Sequence, residues 1–223
     1  MIALRMTWLD LAFLHWPVPI ESLRAIVPVE LEIETFEGSA WVGVVPFEMR
    51  DVRLQLAPPM PTARDFPELN VRTYVRHRGR QGIYFFSLDA ASRLAVIGAR
   101  TSTGLNYVHA RMSVRRERGA IHYDSRRAGA EFAAAYRATG PVFTSEPGSF
   151  EYWSTERYSL FSRHFGRLLR LDIEHPRWPL QPATATIERN TVAEASGIRL
   201  PEREPRVLFA ARLDVVAHWP RAV

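Results

Sequence analysis

Between Phe66 and Val75 the segment FPELNVRTYV puts Leu69, Val71, Thr73 and Val75 on one side and Glu68, Asn70, Arg72 and Tyr74 on the other. A period of two is that of a β-strand, whose successive side chains point to opposite faces. The apolar side belongs against a core. The polar side is either a wet surface or the lining of a pocket, and the pattern alone leaves both open. Comparable short segments recur at Thr7–Trp16, Ala40–Phe47, Ile83–Ala90, Leu94–Arg100, Tyr107–Arg115, Ala120–Asp124 and Val207–Trp219. HRGRQG joins two of them as a hairpin, and Phe165–Gly166 joins Arg157–His164 to Arg167–His175 in the same way.

Helical signals are few. PIESLRAIVP has Pro19 for a first turn and Pro28 as a stop, GSFEYWSTE has Ser149 as a cap, and NTVAEASG has a Thr191–Glu194 capping box before Gly197. AEFAAAYRA reads both ways: alanine favours a helix, while Phe132, Ala134 and Tyr136 alternate as in a strand. The proline-rich LAPPMPTARDFPE is the best internal break, but strand signals resume at once, so it is expected to be a functional loop within one domain spanning residues 1–223. The predicted class is α+β, mainly antiparallel, with a barrel or strongly curled sheet and a few short helices.

Composition narrows the function. The 223 residues are 47% hydrophobic and 24% charged, enough for a core without staples. Cysteine is absent, which excludes disulfides, thiolate metal sites and a cysteine nucleophile. Lysine is absent too, so all 29 basic residues are arginine and no side-chain amine can form a Schiff base. Arginines are spread among 24 acids, so the net charge of +5 does not predict a nucleic-acid partner. Asp10 and His15 interrupt the N-terminal apolar run, and no run approaches the roughly 20 residues that span a bilayer. A cytoplasmic protein without a membrane partner is expected. Phosphate-binding glycine loops, HExxH and GxSxG are missing, and the seven histidines form no close pairs, so neither metal nor cofactor is expected.

The segments FLHWPVP, FEGSAWVGVVPF, FPELNVRTYV, GIYFFSLDA, ERYSLFSR, HPRWPLQPA and LDVVAHWP occur in that order through most of the chain. On these segments the sequence resembles the YqjF-like family of bacterial proteins, within the acetoacetate decarboxylase-like superfamily. The resemblance implies a largely antiparallel β-barrel with an internal pocket and an inward-facing Glu68. Acetoacetate decarboxylases carry Gly-Arg-Glu-x-x-Gly-x-Pro-Lys, and the ungapped match here is ARTSTGLNY. Arg100 matches its arginine and Gly104 its second glycine, while Asn106 replaces the proline and Tyr107 the Schiff-base lysine. The decarboxylation chemistry of that superfamily therefore loses its central residue.

With Glu68 inward, Asn70, Arg72 and Tyr74 share its face, and Tyr107, His109 and Arg111 share a face in a later strand. Ser87 and Asp89 are further contributors. The expected ligand site comprises Glu68, Asn70, Arg72, Arg100, Tyr107 and His109, a polar pocket for a small anionic molecule. One reading is a binding protein or a Schiff-base-independent enzyme acting on a small oxo- or carboxylic acid. Glu68 or His109 would then serve as acid/base, Tyr107 as proton donor, and Arg72 or Arg100 as carboxylate clamp. The other is a structural or interaction protein with a filled barrel, in which Glu68 pairs with Arg72 and Arg100 with Asp89. His15 reads as packing, HPRWP as a turn, and Glu156–Arg157–Tyr158 as a corner held by an ion pair. The sequence leaves the oligomeric state open, a homo-oligomer among the alternatives.

Overall fold

The computed structural model describes residues 1–55 and 61–223. The first half of the chain runs β1 (Ile2–Val18), α1 (Ile20–Arg24), β2 (Glu32–Ile33), β3 (Ala40–Leu54), α2 (Pro61–Arg64), β4 (Phe66–His77), β5 (Arg80–Ala90), α3 (Arg93–Thr103) and β6 (Tyr107–His109). It continues through β7 (Arg111–Glu117), β8 (Ala120–Arg127), β9 (Ala130–Ala138), α4 (Phe150–Thr155), β10 (Ser159–His164), β11 (Arg167–Glu174), β12 (Gln181–Asn190), β13 (Arg206–His218) and β14 (Arg221–Ala222). Part of the proline-rich loop, residues 56–60, lies outside the described residues.

The strands form a mixed sheet, part of which curls into a ring. In order, β11, β10, β5, β4, β3, β1 and β13 are neighbours, and β11 then pairs with β13 to complete a ring. All these pairings are antiparallel except β10 on β5, which is parallel and short: Leu160 opposite Ile83 and Phe161 opposite Tyr84. Beyond β13, strands β12, β9, β8 and β7 form an antiparallel extension that folds back over the outside of the ring.

This layering gives β1, β3 and β4 two buried faces. Leu11, Phe13, Val45 and Phe47 point into the ring, whereas Ala12, Leu14, Val44, Leu69 and Val71 point outward against Tyr123, Phe132 and Tyr136 of the extension. A strand dry on both sides reads as a continuous apolar run, which is what LAFLHW in β1 shows. In β4 the outward face is the apolar one, so Glu68, Asn70, Arg72 and Tyr74 are turned into the ring.

Several elements differ from expectation. Leu94–Arg100 is not a strand but the middle of α3, whose Ser92 hydroxyl accepts the Ala95 amide at 3.2 Å and whose end is marked by Gly104 at φ 65°. The predicted strand Tyr107–Arg115 is two strands. β6 runs parallel to β5, and after Ala110 the chain leaves the ring to begin β7 in the extension. AEFAAAYRA resolves as β9, held between β8 and β12. β12 itself was not anticipated, because the small residues of PATAT give too weak an alternation. Thr191 does not cap a helix; its hydroxyl accepts the Glu131 amide at 2.9 Å, and only a 3₁₀ turn, Glu194–Ser196, follows. Pro19 sits at the cap of α1 rather than in its first turn.

Gly82 marks the tightest point of ring closure. A Cβ there would stand 2.4 Å from the Ser159 carbonyl oxygen and 2.7 Å from the Phe161 ring, so only glycine lets β10 approach β5. Gly82→Ala should destabilise the protein by about 1–3 kcal/mol, the usual range for overpacking a filled site. Denaturant unfolding of the variant measures it, and an unchanged midpoint would refute the close-approach argument.

Candidate functional site

Inside the ring lies a cavity of about 430 Å³. β4 supplies Glu68, Asn70 and Arg72, β6 supplies Tyr107, the end of α4 supplies Thr155, and the segment after it adds Arg157. The walls are otherwise mostly apolar, with Met6, Phe47, Phe66, Leu105, Leu171 and Trp178 prominent. A predominantly polar pocket is thus corrected to an apolar one with a compact polar cluster.

Glu68 is almost fully buried, with 1% exposure. The Tyr107 hydroxyl lies 3.2 and 3.3 Å from its two carboxyl oxygens and donates to them. From the outer face, the Tyr123 hydroxyl donates to the Glu68 backbone carbonyl at 2.7 Å, which anchors the strand at this residue. Burial pushes the Glu68 carboxyl up to about 8, against the opposing pull of Tyr107 and the Asn70 amide, and the nearby Asp89 charge adds to the rise. At neutral pH this carboxyl is therefore mainly a neutral acid. Burial likewise raises Tyr107 well above the ordinary phenol range, with Glu68 contributing.

Arg72 is buried as well. Opposite it, Gly43 leaves the space it needs: a Cβ there would lie 3.4 Å from Arg72 Cγ and 3.2 Å from His15 Cδ2. The guanidinium stacks 5.4 Å from the Phe13 ring centre and 5.7 Å from that of Tyr74. Its Nη2 donates long bonds, 3.3 Å to the Ser154 carbonyl and 3.4 Å to the Tyr74 hydroxyl, and Nε has no partner. Among the described residues Arg72 forms no ion pair; in particular it does not pair with Glu68. Tyr74 in turn sits 2.5 Å from His15 Nε2. Burial, with Arg72 and Arg206 adding to it, holds His15 well below the ordinary histidine range, so it is neutral.

Arg157, by contrast, is paired. It binds Glu34, which also accepts Arg76 at 2.6 Å and Gln81 at 2.9 Å. Burial opposes the charge on Glu34, yet Arg157 and these donors keep its carboxyl below the usual value. Asp89 takes Arg127 at 2.8 Å, so the expected pairing with Arg100 is replaced.

Two expected site residues lie elsewhere. Arg100 is exposed on α3, which turns Ala95, Gly98, Ala99 and Ser102 toward the cavity instead. His109 lines a separate shallow depression with Arg93, Arg111, Arg126 and Arg127. Three lining residues were read as structural only. Trp178 stacks on Trp8 at 5.9 Å, His175 stacks on Tyr158 at 4.6 Å, and both border the cavity. Arg157, read as half of a local corner pair, finds its acid 123 positions away at Glu34. Among the described residues no group of three or more His, Asp or Glu side chains could hold a metal ion, and no helix is long and apolar enough to cross a membrane.

A family model, DUF2071, described as an uncharacterized conserved protein, matches residues 5–214. The uncharacterized protein YqjF of Bacillus subtilis is 48% identical over 220 residues, covering 97% of this chain and 90% of its own. Among solved structures, acetoacetate decarboxylase from Legionella pneumophila superposes with a TM-score of 0.73 at 14% identity, over 99% of this chain and 87% of that one. An acetoacetate decarboxylase-like enzyme from Sphingomonas wittichii gives 0.70 at 12% identity, over 100% and 94%. The enduracididine biosynthesis enzyme MppR complexed with pyruvate gives 0.68 at 12% identity, over 99% and 90%. At these identities the likeness establishes a shared acetoacetate decarboxylase-like fold.

The Glu68 environment gives a pH dependence of definite sign. The folded carboxyl, at about 8, keeps a proton that the unfolded chain, near 4.5, releases. Stability is therefore full below that lower value and falls as pH rises toward the higher one, by roughly 1.4 kcal/mol per unit inside the window. Glu68→Gln should remove this slope, and Tyr107→Phe should move its upper end to higher pH by deleting a bond that favours the ionised form. Urea unfolding at a series of pH values checks both; parallel curves for wild type and Glu68→Gln would contradict the assignment.

Proposed function

Starting from the chain's membership of the DUF2071 family on an acetoacetate decarboxylase-like fold, we propose that it binds a small carboxylic or oxo acid inside the ring. The observation that carries this reading is Arg72, a buried guanidinium that opens on the cavity with an unpartnered Nε and without a protein carboxylate. Burying a charge without a counterion costs several kcal/mol. Arginine stays protonated under that pressure. An anionic ligand would relieve the penalty, and the planar fork suits a carboxylate held by two parallel bonds. The open cavity supports this reading over a ring filled by its own side chains.

The Glu68–Tyr107 pair adds a capacity for proton transfer. A neutral carboxyl near its titration point is suited to give a proton to a carbonyl or enolate oxygen and to take one back. Such chemistry is independent of a Schiff base, as it must be in a chain without lysine. In the ungapped family match the tyrosine that donates to Glu68 stands at the position of the reactive lysine.

Arg72→Met should weaken carboxylate binding by about 1.5–3 kcal/mol, the range for a hydrogen bond to a charged group. The apolar stem is kept, so folding should persist. Calorimetric titration with small carboxylates and their neutral amides is the measurement. A wild type that prefers the amides, or a mutant that binds acids equally well, would sink the anion clamp. For catalysis, NMR should show exchange of α-hydrogens of oxo acids with solvent deuterium, lost in Glu68→Gln. Exchange no faster than in protein-free solution would leave a binding protein only, and equal acceleration by both proteins would remove Glu68 from the chemistry.

A further inference from the structure

The cavity wall is apolar apart from a compact polar cluster and a few polar residues at its rim. The polar cluster is buried: Glu68 at 1% exposure, Arg157 at 2%, and Asn70 and Arg72 at 7%. Toward solvent the cavity is bordered by Leu54 and Trp219, which are 45% and 49% exposed, beside the exposed Arg53 and the half-buried His218. Most of the remaining wall is apolar, with Met6, Phe47, Met49, Phe66, Leu105 and Leu171 prominent. The α3 side is a trough of small residues, Ala95, Gly98, Ala99 and Ser102, spaced so that they share one helix face. At Gly98 an added Cβ would meet nothing within 4 Å.

A ligand matching this lining has a charged head and an apolar body. A small oxo acid of a few carbons would occupy only the polar end and leave the apolar walls facing empty space. With a volume of about 430 Å³, and about 30 Å³ as a water-sized share per heavy atom, the cavity takes roughly fourteen heavy atoms.

We propose that the ligand class is an amphipathic carboxylic acid with a chain of about eight to twelve carbons, the acids whose heavy-atom count approaches that capacity. The head lies at Arg72 and the tail runs along the Met6–Met49–Leu105 wall to the α3 trough. This rests on the Arg72 reading and adds the apolar body to it.

The test is calorimetric titration with straight-chain carboxylates from two to twelve carbons, alongside the matching primary alcohols. Affinity should rise about three- to fourfold per methylene, the factor for roughly 0.8 kcal/mol, and level off near eight to twelve carbons. Gly98→Leu should fill the outer trough, weakening the longest acids about tenfold while leaving the four-carbon acid unchanged. Acids that bind with equal affinity at every length would overturn the chain proposal and leave the Arg72 clamp standing. Alcohols that climb the same ladder as tightly as the acids would overturn the clamp, and with it the carboxylic head. Failure of every acid and alcohol to bind would overturn both. The wild-type ladder decides the matter even where the variant fails to fold.

Discussion

β4 is buried on both faces, and the architecture of the site follows from that constraint. Its outer face carries Leu69, Val71 and Val75 against the folded-back extension. The Tyr123 hydroxyl fixes the backbone there by taking up the Glu68 carbonyl. A one-residue slip would exchange the faces and press Glu68 and Arg72 into an apolar interface. With the register fixed, the polar side chains have only the ring interior to occupy. Each then meets a different local solution: Glu68 keeps its proton, while Arg72 cannot shed its charge and faces the cavity between two rings.

The two buried arginines show how position decides role. Arg157 reaches Glu34, whose carboxylate also holds Arg76 and Gln81, so its charge is neutralised within the protein. This pair ties the segment after α4 to the residue that follows β2. Arg72 sits on the same polar side with a phenol, a carbonyl and two aromatic faces around it, and among the described residues no carboxylate pairs with it. Removing Glu34 would strand a buried charge; removing Arg72 strands none. That asymmetry separates a structural guanidinium from one available to a ligand.

Much of this was legible in the sequence, for definable reasons. Strict alternation in FPELNVRTYV marked the faces of β4 and grouped Glu68, Asn70 and Arg72, and the family resemblance turned that group inward and brought in Tyr107. The failures share a cause: side-chain parity carries only as far as the element carries. LAVIGAR is too short for its period to separate strand from helix. Once it is α3, residues 95, 98, 99 and 102 share the inner face and Arg100 is carried outside. The break at Ala110 similarly uncouples His109 and Arg111 from Tyr107. Arg157 and Trp178 were hidden for another reason. Their partners, Glu34 and Trp8, are distant in sequence, and no local spacing encodes such contacts. The apolar character of the walls was equally diffuse, since they draw on β1, β3, β5, β11 and α3 together.

The ring is not equally firm all the way round. β10 and β11 form a hairpin bonded to each other along six residue pairs, yet β10 joins β5 through two pairs and β11 joins β13 through two. Strands tied to their neighbours by so few bonds open locally at low free energy, well before global unfolding. The hairpin is thus a loose stave in a firm wall. Its Ser162 hydroxyl holds the Thr103 carbonyl at 2.6 Å, at the end of the helix that borders the cavity. Opening of the hairpin would release that tether, so the α3 side is where the wall around the cavity is least braced.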